Sequence, residues 1–127
     1  MQEIKKPIVP PGVRIWPHEL RVAKILSLAG FSVEFIPEAR IPMPDIYLDH
    51  TMYEIKSPVS DKINAVQRNL TKALAKCPNI IFDSSRMKVN DEAILRELIK
   101  RRKIGKGLKK LLFIDKRQEI IDVEGLI

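Results

Sequence analysis

Cysteine is all but absent from this sequence. Cys77 stands alone, which excludes an intramolecular disulfide framework and a cysteine-rich zinc site and fits folding in a reducing compartment. Packing is the role expected of its thiol. Long apolar runs are missing as well, so no segment reads as a membrane span. The amino terminus has basic residues but neither the apolar stretch nor the cleavage pattern of a secretory signal. Together these absences predict a cytoplasmic site of action. Aromatic residues make up only 6% of the chain. Tyr47 and Tyr53 are therefore read as core residues rather than as base-stacking platforms. There is no internal repeat and no low-complexity stretch. At 127 residues the chain can close one core around one sheet but is too short for two domains.

Positive charge, by contrast, is plentiful. Lys plus Arg number 23 against 16 Asp plus Glu, a formal charge of +7, which favours a polyanionic partner such as nucleic acid. The excess is also concentrated. Residues 96–110 hold eight basic residues and one acid, Glu97. Arg96, Lys100, Arg101, Arg102, Lys103, Lys106, Lys109 and Lys110 are thus the candidate nucleic-acid-binding residues. A solvated helix face followed by a polar loop is the competing reading of the same charges.

The order of elements follows from periodicity. Residues 1–15 hold Pro7, Pro10, Pro11 and Gly12 and predict an extended or frayed lead-in, with the folded domain over 16–127. Helical spacing of Val22, Ala23, Leu26 and Ala29 predicts a first helix that Pro17 opens and Gly30 stops. Val33 and Phe35 belong to a first strand. Two further strand-like runs, 45–48 and 51–56, predict a hairpin turning at Asp49 and His50. Its register sets Leu48 opposite Thr51, Ile46 opposite Tyr53 and Asp45 opposite Glu54. Ser60 or Asp61 is expected to cap a second helix with Ile63, Val66, Leu70, Ala73 and Leu74 inward and Gln67 interrupting the stripe. The run from Ile80 to Asp83 is a buried strand, and Asn90 caps a third helix that Gly105 and Gly107 end. Strands at 111–114 and 120–123 close the chain. The resulting order, αβββαβαββ, predicts an α/β fold with a mixed sheet flanked by helices.

Period-two alternation puts Lys56 beside Glu54 and, across the hairpin, Asp45 beside both, with Ile46, Leu48, Tyr53 and Ile55 facing the core. Two carboxylates held side by side repel unless a cation or a proton compensates. Lys56 compensates in part. Mg²⁺ or Mn²⁺ prefers hard oxygen ligands of the kind Asp45 and Glu54 offer, and such a site suits phosphodiester hydrolysis. Glu19 projects from the inward face of the first helix and is placed to support the metal. The blander readings are an acid favouring the positive end of a helix for Glu19, a turn residue for Asp45, and an ordinary exposed strand face for Glu54 and Lys56. His18 and His50 are read as surface residues and left out of the site.

The pattern of Pro44, Asp45, eight residues, then Glu54, Ile55 and Lys56 resembles the PD-(D/E)xK nuclease superfamily, including the preceding helix with an inward glutamate. The wider sequence, with its run from Pro44 to Leu48, the run from Tyr53 to Pro58, Gln67, the run from Pro78 to Asp83 and the basic stretch, is similar to the C-terminal toxin domain of CdiA-type contact-dependent tRNA nucleases. That resemblance spans about residues 16–123. It implies a PD-(D/E)xK-like fold, cleavage of RNA and of tRNA in particular, and a dedicated immunity protein as partner. It carries over Glu19, Asp45, Glu54, Lys56 and Gln67 as catalytic, Gln67 as a helper orienting water or phosphate. The metal set it implies is Glu19, Asp45, Glu54 and the backbone carbonyl of Ile55. No delivery region is read in the sequence, so either an excised domain or a stand-alone relative is expected. Nothing in the motif separates ribose from deoxyribose. A DNA endonuclease of the same superfamily therefore stays open, as does a non-catalytic nucleic-acid-binding module.

Overall fold

In the computed structural model, residues 5–126 are described; residues 1–4 of the predicted lead-in and the last residue of the predicted domain lie outside the described residues. Helix α1 spans Pro17–Leu28. Pro17 suits its first turn because the missing N–H would have had no helical partner. The helix stops where Gly30 adopts a φ of 101°, a conformation that favours glycine, and Phe31 N–H donates back to the Leu26 carbonyl at 3.1 Å.

Three antiparallel strands follow: β1 (Val33–Phe35), β2 (Ile46–Leu48) and β3 (Thr51–Lys56). Leu48 faces Thr51 and Ile46 faces Tyr53, the predicted hairpin register. Asp49 and His50 both take positive φ, 46° and 70°, the twist a two-residue hairpin turn requires. The Asp49 carboxylate accepts from Ser32 N–H at 2.8 Å, which helps hold a conformation that non-glycine residues otherwise resist.

The chain then winds through α2 (Asn64–Leu74), β4 (Asn79–Asp83), α3 (Asp91–Ile104), β5 (Lys110–Ile114) and β6 (Ile120–Asp122). The predicted order is met, with one addition, a closing 3-10 helix over Val123–Leu126. One cap differs from expectation. Neither Ser60 nor Asp61 caps α2: Ile63 holds that position without a side-chain bond, because the Ser60 hydroxyl is used in its own turn, accepting from Lys62 N–H at 3.1 Å. Asn90 does cap α3, accepting from Ala93 N–H at 2.8 Å. The lead-in is extended and tied down at Ile8, which bridges in parallel to Glu34.

The six strands lie in the order β1 to β6, with β3, β4 and β5 parallel and the outer pairs antiparallel. Helix α1 packs on one face, with Val22, Leu26, Ile46, Tyr53, Ile55 and Ile81 in one cluster. Helices α2 and α3 cover the other, with Val66, Leu70, Phe82, Ile94 and Phe113. That is the placement expected of two successive parallel crossovers of the same hand. Both faces of the sheet are therefore buried, and anything polar on β3 sits between layers.

Leu26 is fully buried whereas Leu28, two residues on, is 72% exposed. Leu26→Ala is expected to cost about 2–5 kcal/mol of stability in urea denaturation and Leu28→Ala less than about 0.5 kcal/mol. Equal losses would mean that α1 does not pack as described.

Candidate active site

Strand β2 begins one residue after Asp45, and there the chain is pinned to β3 twice. Asp45 N–H donates to the Tyr53 carbonyl at 3.1 Å, and the Asp45 carboxylate accepts from Ile55 N–H at 2.8 Å. The second bond holds this carboxylate alongside β3. Alternation then sends Tyr53 and Ile55 into the α1 core and Glu54 and Lys56 to the α2 side. The first turn of α1 brings in Glu19. Glu19, Asp45, Glu54, Ile55 and Lys56 all line one cavity of about 500 Å³, whose far wall is the proline-rich loop of residues 37–44.

Glu54 is not on an exposed strand face. It is 2% exposed, because α2 closes over its side of the sheet. Its Oε2 lies 3.4 Å from Lys76 Nζ and 3.7 Å from Lys56 Nζ. Its Oε1 is buried and, in the ionised form, has no hydrogen-bond partner; when protonated the carboxyl can share its proton with Asp45. Glu19 combines a helix-end contact with a place in the cavity lining. It caps the first turn, accepting from Trp16 N–H at 3.3 Å, and it faces the cavity.

Burial and the Asp45 charge act on both glutamates. Burial, and next the Asp45 charge, raise Glu54 from 4.5 to about 7 against the opposing pull of Lys76 and Lys56. Burial and Asp45 likewise raise Glu19 to about 7. The cluster thus holds protons near neutrality that separated carboxyls would have shed. An orphaned buried oxygen on Glu54, hard oxygen donors on three elements and a surplus of mutual repulsion fit a divalent cation. Among the described residues no group of three or more His, Cys, Asp or Glu is arranged to hold a metal ion, so a cation here would draw on at most two of these carboxylates, with water completing its shell.

Several residues lie elsewhere than expected. Gln67 is exposed and is not among the residues lining the cavity, because the buried stripe of α2 runs through Ala65, Val66, Leu70 and Ala73. The polar group that α2 delivers is Lys76, just past its end. Helical spacing does not mark it, because α2 ends at Leu74. His18 also lines the cavity, where burial and the Arg86 cation push it below the usual imidazole range. His50 stays in the hairpin turn. Tyr53 is buried, as expected.

None of the eight residues of the basic stretch lines the carboxylate cavity. Arg101 pairs with Glu97 at 2.8 Å and Arg102 with both carboxylate oxygens of Glu124, whereas Arg96, Lys100, Lys103, Lys106, Lys109 and Lys110 are exposed. Beside the site, the wholly buried Asp83 accepts from the hydroxyls of Ser57 and Ser85 and lies 3.6 Å from Arg21. Arg86 donates to the Ser57 carbonyl at 2.9 Å. This network fixes the ends of β3 and β4 under the cavity.

The family model of the contact-dependent growth inhibition CdiA C-terminal domain matches residues 42–120, a span that includes Asp45, Glu54, Lys56 and Lys76. A chain of the CdiA-CT/CdiI toxin and immunity complex from Burkholderia pseudomallei matches the fold with a TM-score of 0.72 at 18% identity, covering 91% of this chain and 97% of that one. No curated protein matches the sequence.

Glu19 and Glu54 titrate near 7 in the folded protein and near 4.5 when free. Between those values the folded state binds more protons than the unfolded one, so stability contributed by these groups is present below 4.5 and lost as pH rises through 7. Metal-free protein is therefore expected to lose melting temperature from pH 5 to pH 8, and Glu54→Gln to flatten that decline. A variant profile as steep as the parent's would locate the pH dependence in other groups.

Proposed function

The chain belongs to the CdiA C-terminal domain family of contact-dependent growth inhibition, a toxin family, and from that premise we propose that it is a metal-dependent nuclease of the PD-(D/E)xK type with tRNA as its favoured substrate. The observation that carries the reading is Glu54: a carboxylate between two lysines, beside Asp45, buried and with one oxygen unpartnered. A purely structural ion pair has no use for an unpartnered buried oxygen, which costs free energy wherever it is left.

In this reading Asp45 and Glu54 hold Mg²⁺ or Mn²⁺ together with the Ile55 carbonyl, and Glu19 supports them from α1. When bound, the ion supplies activation of water and neutralisation of charge on the phosphoryl group under attack. Asp45 is kept in place for this by its bond from Ile55 N–H, so binding requires little reordering. Lys56 and Lys76 keep two ammonium groups at the edge of the carboxylates, where negative charge builds up on the phosphate in the transition state. The loop of residues 37–44 walls the cavity and restricts the angle from which a phosphodiester can enter. The neighbouring fold comes from a complex with an immunity protein, which supports a dedicated protein inhibitor for this chain too.

Incubating the protein with total tRNA and with plasmid DNA, each with Mg²⁺, Mn²⁺ or EDTA, tests the reading. Cleavage of tRNA that needs the metal is expected, with Glu54→Gln and Lys56→Ala slower by about 10²-fold or more while melting as cooperatively as the parent. Cutting of DNA alone would reassign the substrate. Salt-sensitive binding of both without cutting under any condition would make the domain a nucleic-acid-binding module instead.

A further inference from the structure

The carboxylates are not the whole lining of the cavity. The chain's single tryptophan, Trp16, lines its wall next to Glu19 while 55% exposed. An indole gains much from burial, and isolated exposed apolar residues are common on protein surfaces. Three features set this one apart. Its backbone is fixed relative to the site: Trp16 N–H donates to Glu19 Oε1 at 3.3 Å, and its carbonyl accepts from Leu20 N–H at 3.0 Å. The Arg14 guanidinium lies over its ring, 5.2 Å from the centroid. Ile41, 68% exposed, lines the same cavity from the loop of residues 37–44.

We propose that the part of the cavity around Trp16 is a subsite for an unstacked nucleobase, with Trp16 as the platform on which the base stacks. The proposal rests on the nuclease reading of the same cavity and adds to it the class of substrate. Trp16 offers a flat apolar face that suits any base, since every base has a π face. Arg14, stacked on the ring, keeps its in-plane donors available for a phosphate oxygen, and Arg40, Lys56 and Lys76 line the same cavity. Cations and an aromatic platform in one concavity are the combination that holds single strands, the charges following the backbone and the ring taking the base. The volume, about 500 Å³, falls in the range of sites that enclose a whole small ligand rather than a lone phosphate. A base inside a continuous duplex is already stacked on both faces and cannot reach Trp16 without being extruded. The substrate class is therefore a single-stranded or looped segment, cut next to a base seated on Trp16.

Because Trp16 is the only tryptophan, its fluorescence reports on this subsite alone. In EDTA, where no cleavage occurs, single-stranded oligoadenylate is expected to quench it, whereas an abasic oligonucleotide of the same length binds without quenching. Trp16→Ala is expected to weaken binding of labelled oligoadenylate by about tenfold or more and Trp16→Phe by clearly less, both read by fluorescence anisotropy. Equal affinity for parent and Trp16→Ala, or equal quenching by the base-bearing and abasic strands, would overturn the proposal. If Trp16→Ala melts less cooperatively, quenching of the parent and the affinity of Trp16→Phe decide. The readout involves no turnover. Absence of cleavage with every metal would sink the nuclease reading and leave this result standing, and cleavage unaffected by a Trp16→Ala variant of normal affinity would do the reverse.

Discussion

A carboxylate that water barely reaches governs this molecule. Glu54 sits on β3 between the sheet and the end of α2, and a charge there is tolerable only with partners. Lys56 and Lys76 supply two of them, on the same oxygen, and the other oxygen has none. Asp45 makes matters worse, adding negative charge alongside. The arrangement is thus internally unfavourable in the absence of a cation or a proton, and burial, with the Asp45 charge next, raises both Glu54 and Glu19. Sites that carry such strain persist because the surrounding structure fixes them and because a ligand relieves them.

The surrounding structure is unusually well suited to fixing them. Strand β3 is the seam of the sheet, antiparallel to β2 on one side and parallel to β4 on the other, so its backbone is held from both edges. Its alternate residues are locked by two different cores, Tyr53 and Ile55 by α1 and the Glu54 side by α2. Below the cavity, Asp83 and Ser57 tie the ends of β3 and β4 together, and Arg21 from α1 leans on the same aspartate. Moving Glu54 would mean disturbing three layers at once. Such support is what holds a small set of polar groups within the narrow tolerance chemistry demands.

Much of this could be read from the sequence. Strict alternation around a two-residue turn determines hairpin register, which is why Asp45, Glu54 and Lys56 could be placed together with no structure. Helical spacing likewise put Glu19 on the side that reaches them. What could not be read depends on the third dimension. Burial of Glu54 comes from α2 crossing over it, and a strand pattern does not say which face a later helix will cover. Lys76 lies past the last periodic residue of α2, where spacing carries no information, and Gln67 illustrates the opposite error, a position that fits the stripe within one residue yet faces solvent. His18 and Trp16 owe their place to the start of α1 and to the loop of residues 37–44, whose path proline content marks as irregular without tracing.

The basic stretch shows how charge in sequence and charge at a site diverge. Its residues cluster along α3 and the following loop, yet the cations that line the carboxylate cavity are Arg14, Arg40, Lys56 and Lys76, scattered over four places in the chain. Two of the eight clustered residues are also spent on internal partners, Glu97 and Glu124. Coulomb interactions between exposed charges are largely screened beyond about 8 Å at physiological salt, so on the proposed nuclease reading the exposed remainder would meet a polyanion outside the cavity and raise its local concentration there. On the proposed nuclease reading, holding a phosphate falls to these four scattered cations of the cavity lining, of which Lys56 and Lys76 lie against Glu54. A net charge of +7 therefore says little of which cations face the carboxylates; the fold decides that, through Lys56 on β3 and Lys76 just past α2.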